Sequence, residues 1–146
     1  MMENKSTHVK MIINAENLIL GRLATYAAKQ ALLGEEIEII NCEKAILTGS
    51  KKDILKKYEG KVKMGTQFKG PFIHRHSNMI VKRTIRGMLP YKQEKGKKAF
   101  KNIRCHISIP DTLKDKEYET IKSANVQKLK NLKFITIQTL SKLLGK

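Results

Sequence analysis

Two arginines three residues apart, Arg83 and Arg86, lie in the run Lys82-Arg83-Thr84-Ile85-Arg86-Gly87-Met88-Leu89-Pro90-Tyr91-Lys92. A guanidinium is a rigid fork of donors that matches phosphate oxygens, so two of them on one side of a helix suit a polyanionic backbone. The spacing itself predicts that helix. Ile85, Met88 and Leu89 recur at intervals of three and four and mark one apolar face. Pro90 removes a backbone donor and restricts the residue before it, which ends the helix near Leu89. Arg83 and Arg86 then share the side away from the core. Lys92, Lys95, Lys97, Lys98, Lys101 and Arg104 follow, and Lys51, Lys52, Lys56, Lys57, Lys61, Lys63, Lys69 and Arg75 precede. A single basic run is as often a solvated helix face, so the distribution of charge over the whole chain carries the argument.

That distribution is lopsided. The formal net charge is +17 over 146 residues, and 51–104 alone holds 17 basic against 3 acidic residues, a net of +14. Such self-repulsion stabilises nothing in isolation and becomes favourable beside a polyanion. Nucleic acid ranks first, because neutralised phosphates release counterions. An anionic membrane surface ranks second and an acidic protein third.

Other chemistries find little support. No Gly-x-Gly-x-x-Gly follows a first strand and no P-loop is present; Gly21-Arg22 at a helix start is a weak phosphate signal on its own. His74 and His76 have metal-ligand character but lack a third ligand at suitable spacing. Carboxylates in the basic segment are limited to Asp53, Glu59 and Glu94, too sparse for a two-metal or paired-carboxylate site. Cys42 and Cys105 are far apart, which argues against a disulfide and for a reducing compartment; Cys42 reads as a core thiol. The N-terminus lacks an apolar signal core and no stretch reaches 18 apolar residues. The expectation is a soluble, intracellular protein with no cofactor.

The elements that must position the cations follow from periodicity. Residues 1–10 form a loose tail and 11–146 one domain. Met11-Ile12-Ile13 is a first strand. A helix over 20–33 buries Leu20, Leu23, Ala24, Ala27, Ala31 and Leu32, and Gly34 caps it. A strand over 36–42 runs parallel to the first, because a full helix separates them. Residues 45–47 extend the sheet or make a short strand. Thr48 or Ser50 caps a helix over 51–59, with Ile54, Leu55 and Tyr58 inward. The glycine-rich stretch 60–78 reads as a long basic loop, whose Phe68 and Phe72 either stack on bases or anchor it to the core. A short helix over 97–104, a strand over 105–109 closed by Pro110, a mixed-charge arm from 111, a strand over 134–137 and a helix over 139–144 complete an α/β fold.

Taken in order, Gly21-Arg22-Leu23-Ala24, Ala28-Lys29, Leu32-Leu33-Gly34-Glu35, Thr48-Gly49-Ser50, Lys57-Tyr58, Gly70-Pro71-Phe72, Arg75, the run Arg83 to Lys92, Gly96 and Ala99 resemble the large-subunit ribosomal protein L-thirteen family in its archaeal and eukaryotic form. The likeness covers 11–145. It implies a three-layer α/β/α fold with a small, mainly parallel four-stranded sheet and basic extensions. It implies a structural and assembly role on the cytoplasmic ribosome, not catalysis, with large-subunit ribosomal RNA and neighbouring large-subunit proteins as partners, and no membrane or small-molecule substrate. Two departures stand out. His74 and His76 occupy positions where the family places prolines, and Ser108 stands where a glycine is usual. The runner-up reading is an RNA-modifying or nucleotide-binding enzyme on a similar scaffold.

Overall fold

The computed structural model describes residues 10–146, so the expected tail over 1–10 lies outside the described residues except for Lys10. Strand β1 (Lys10–Asn14), helix α1 (Leu20–Leu32) and strand β2 (Glu36–Ile40) form a crossover unit, and β1 and β2 pair in parallel with Met11 opposite Ile37 and Ile13 opposite Ile39. Strand β3 (Ile46–Thr48), helix α2 (Lys51–Lys63), helix α3 (Ser77–Gly87) and helix α4 (Glu94–Lys101) come next. Strand β4 (Ile103–Cys105) then joins the other side of β2, again in parallel, to give the order β1-β2-β4.

The α/β class and the small, mainly parallel sheet are as expected. Its strands divide differently: three make the sheet, while β3 pairs antiparallel with β5 (Phe134–Thr136) in a separate ribbon. Helix α5 (Ile137–Leu143) ends the chain, N-capped by the Thr136 hydroxyl, which accepts from Thr139 N.

Alternation along the strands sorts the side chains. Ile13, Ile37 and Ile39 face α1, α3 and α4 in the main core, whereas Ile12 and Ile40 turn to the opposite face and meet Leu113. Leu113 lies in a 3-10 turn, Asp111–Leu113, that begins the C-terminal arm. The arm continues along the free edge of β1. Asn14 N donates to Glu119 O at 3.0 Å and Glu119 N donates to Ile12 O at 2.8 Å. Farther on, Ile19 N donates to Ala124 O at 2.8 Å and Val126 N to Asn17 O at 3.0 Å. The mixed-charge arm expected from 111 takes the local form of a chain of 3-10 turns.

Small residues let α1 approach closely, with Ala24, Ala27, Ala28 and Ala31 all buried. Gly34 ends the helix at φ +99, a left-handed cap that glycine adopts without steric cost. Leu32, expected in the stripe, is 46% exposed.

Several boundaries differ from the sequence reading. Helix α2 passes through Gly60 to Lys63 instead of stopping near 59, since one helical glycine costs only about 1 kcal/mol. Ser50 occupies its N-cap position without a side-chain bond. Helix α3 starts at Ser77, because Ile80 and Val81 join Ile85 in the core; packing overrides the modest helix propensity of β-branched residues. The loop is thereby shortened to 64–76. Met88, read as core, is 43% exposed, while Leu89 is buried. The fourth helix runs from 94 rather than 97, and the strand expected over 105–109 lies at Ile103–Cys105. Ser108 adopts φ +59 and breaks the extended chain there.

Candidate nucleic-acid interface

Helix α2 buries no residue fully. Its Ile54, Leu55, Tyr58 and Val62 rest on the margin of the core, which leaves Lys51, Lys52, Lys56, Lys57, Lys61 and Lys63 exposed. Facing it, α3 buries Ile80, Val81 and Ile85 and turns Arg83 and Arg86 outward. Between the two helices lies a cleft of about 370 Å³ lined by Lys57, Tyr58 and Lys61 of α2, His74 of the loop, and Ile80, Arg83 and Thr84 of α3. On the far side of α3 a second groove of about 530 Å³ is lined by Pro71, Phe72, His74, Met79, Lys82, Arg83, Arg86 and Phe100. Arg83 and His74 belong to both, and no carboxylate lines either.

Three of the cations rest on aromatic rings. Lys61 Nζ lies 5.2 Å from the Tyr58 ring centroid, Lys82 Nζ 5.0 Å from Phe100, and the Arg86 guanidinium carbon 5.0 Å from Tyr91. Cation–π contacts of this kind orient the heads without neutralising them. Burial pushes the Lys61 amine below its ordinary range, and the nearby charges of Lys57 and Arg83 push it the same way. Burial raises the Tyr58 phenol, and Arg83 opposes that rise.

The loop over 64–76 is shaped by glycines. Gly65 stands at φ +85, and a Cβ there would meet Pro71 Cδ at 2.9 Å and the Gly70 backbone closer still; a Cβ on Gly70 would meet Thr66 O at 2.7 Å. Gly70 N donates to Thr66 O at 2.8 Å and closes the turn. Lys69, Phe68 and Phe72 project from it into solvent, the two rings 89% and 72% exposed, so neither phenylalanine anchors the loop to the core.

The remaining cations divide. Lys92, Lys95, Lys97, Lys98 and Lys101 are exposed on and before α4, and Lys98 pairs with Glu94 at 2.9 Å. Arg75 is a brace: its Nη1 donates to Leu144 O at 3.1 Å, and Ser141 Oγ donates to Arg75 O at 2.6 Å. Arg104 stands away from both clefts. Its Nη1 lies 3.9 Å from Glu38 Oε1, and Glu38, 4% exposed on the central strand, is also paired with Lys10 and lies 3.5 Å from His106 Nε2. Lys101 and Arg104 line a small pocket around this carboxylate.

Sequence reasoning missed the double membership of His74 and the aromatic partners Tyr58, Tyr91 and Phe100. The spacing of Lys57, Tyr58 and Lys61 was the available signal. His74 and His76 part company: His74 lines the two clefts, whereas His76 lies near Ser77, Glu43 and Ser141. No group of three or more His, Cys, Asp or Glu side chains among the described residues is arranged to hold a metal. Arg22, behind Gly21, donates to Ser123 O at 3.1 Å and secures the arm instead of facing a phosphate. No described helix is long and apolar enough to cross a membrane.

The family model described as Ribosomal protein L13 matches residues 8–112. Among curated proteins, the large ribosomal subunit protein uL13 of Methanococcoides burtonii is 40% identical over 134 residues, covering 92% of this chain and 96% of its own. The protein of that name from Archaeoglobus fulgidus is 40% identical over 135 residues (92% and 86%), and that from Methanopyrus kandleri 42% identical over 136 residues (92% and 86%).

Proposed function

The chain belongs to the ribosomal protein L13 family, a family of large-subunit ribosomal proteins rather than enzymes, and on that premise we propose that it binds large-subunit ribosomal RNA through α2, the 64–76 loop, α3 and the turn into α4. In this reading it is a structural constituent that supports subunit assembly and translation in the cytoplasm, beside neighbouring large-subunit proteins. The observation that carries it is Arg83, shared by two adjoining clefts that no carboxylate lines. Lysines there neutralise phosphates, while Arg83 and Arg86 make forked contacts that fix the register on folded RNA. Lys51, Lys52, Lys56, Lys63, Lys69 and the lysines of 92–101 extend the field around that centre. Arg75 contributes through the fold it braces, whereas Arg104, exposed beside Glu38, adds its charge to the basic surface away from the clefts.

The test is fractionation on a sucrose gradient. The polypeptide is expected to sediment with the large subunit and to stay there through a moderate salt wash; release at low salt would remove the proposed interface.

A further inference from the structure

The groove on the outer side of α3 is lined by two phenylalanines, Phe72 and Phe100, where the cleft between α2 and α3 has a single tyrosine, Tyr58. Met79 lines it with them, together with the cations Lys82, Arg83 and Arg86. Phe72 is large, apolar and mostly in water, yet it is held by a turn that Gly65, Gly70 and Pro71 fix in place. Phe100 already has a cation, Lys82, over its ring. Phe72 has none among the described cation–π contacts.

We infer that this groove takes one unpaired nucleotide of the bound RNA, its base stacked on Phe72 and its phosphate held by Arg83 and Arg86. The inference rests on the RNA-binding reading above and narrows it. Paired bases in an A-form helix are inaccessible to such a wall, since the duplex offers phosphates and 2′-hydroxyls; aromatic side chains recognise bases splayed from loops and bulges. A groove of about 530 Å³ falls within the range of pockets that enclose a small organic molecule, about 300–1,000 Å³. The charge selects the occupant. Three cations without a carboxylate in the lining favour a base carrying a phosphate over an apolar peptide side chain.

The experiment compares two hairpin RNAs, one fully paired and one with a single 2-aminopurine bulge, bound to the full chain and to Phe72→Ala, Phe72→Leu and Phe72→Tyr. The wild type is expected to bind the bulged hairpin roughly 10-fold more tightly, the order expected for one stacked base, and to quench the 2-aminopurine fluorescence. Phe72→Ala and Phe72→Leu are expected to lose both the preference and the quench while keeping the affinity for the paired hairpin; Phe72→Tyr is expected to keep both. Equal wild-type affinity for the two hairpins, or a preference that survives Phe72→Ala, overturns the inference and leaves the RNA-binding reading standing. Failure to bind either hairpin removes both.

Discussion

The backbone of Gly96 rests directly against Pro90: a Cβ on Gly96 would sit 2.9 Å from Tyr91 N and nearer still to the carbonyl carbon and oxygen of Pro90. Helix α4 is thereby clamped onto the turn that ends α3, and Tyr91, which carries the Arg86 guanidinium on its ring, is set by the same contact. The obstructing atoms are backbone and cannot swing aside. Gly96→Ala is therefore expected to cost about 3 kcal/mol, the upper end for overpacking, read as a lower midpoint in urea.

Arg83 and Arg86 are exposed and brace nothing in the core. Replacing both with Ala is expected to weaken RNA binding about 10–1,000-fold, taking about 1–2 kcal/mol for each lost charge-assisted contact. The slope of log affinity against log salt is expected to flatten by about 0.7–0.9 for each phosphate contact removed. A filter-binding salt series gives both quantities, and an unchanged affinity would take α3 out of the interface.

Arg75 should behave in the opposite way. Its guanidinium is bonded to the carbonyl of Leu144 and its own carbonyl accepts from Ser141. Arg75→Ala is expected to lower stability by about 1–2 kcal/mol and to speed amide exchange in α5, with the salt slope of RNA binding unaltered.

Lys61 gives a pH signature. Its folded pKa lies below the ordinary 10.5, through burial first and then Lys57 and Arg83. Between the folded and unfolded values the unfolded chain binds more protons, so stability rises with pH in the window just below 10.5. At pH 8–9 the same depression leaves more neutral amine than an ordinary lysine has. Lys61 is expected to acylate faster in the folded protein than in the unfolded chain with an amine-directed reagent, and bound RNA is expected to slow it by placing phosphate charge beside the amine. Peptide mapping of the labelled protein measures this.

Much of this arrangement was legible in the chain. Ala24, Ala27 and Ala31 announce a close-packed helix, and their spacing with Gly34 set its bounds within a residue. The cations of 82–86 pointed outward because Ile85 and Leu89 fix the inward face. The misreadings share a cause: tertiary contacts decided them. Ile80 and Val81 are indifferent helix formers that the core drew into α3. Ser108 looks like an alternating strand residue but stands at φ +59, where Glu43 Oε2 accepts from its amide at 3.0 Å and Oε1 from its hydroxyl at 3.3 Å. That geometry also explains why glycine suits the position. The two roles of arginine, Arg83 outward and Arg75 as a brace, differ only in what lies opposite, and no local pattern records that.

The arm that hydrogen-bonds along β1 sets a delay into biosynthesis. Glu119 closes the edge next to Ile12 and Asn14, yet it is translated 105 residues after Asn14. At about 5–20 residues per second, the nascent polypeptide carries an unprotected strand for roughly 5–20 s, the condition in which edges recruit other chains. Holdase binding during that interval, and insolubility of products that stop before Glu119, are the expected costs of closing a sheet edge with residues made so much later than the strand they cover.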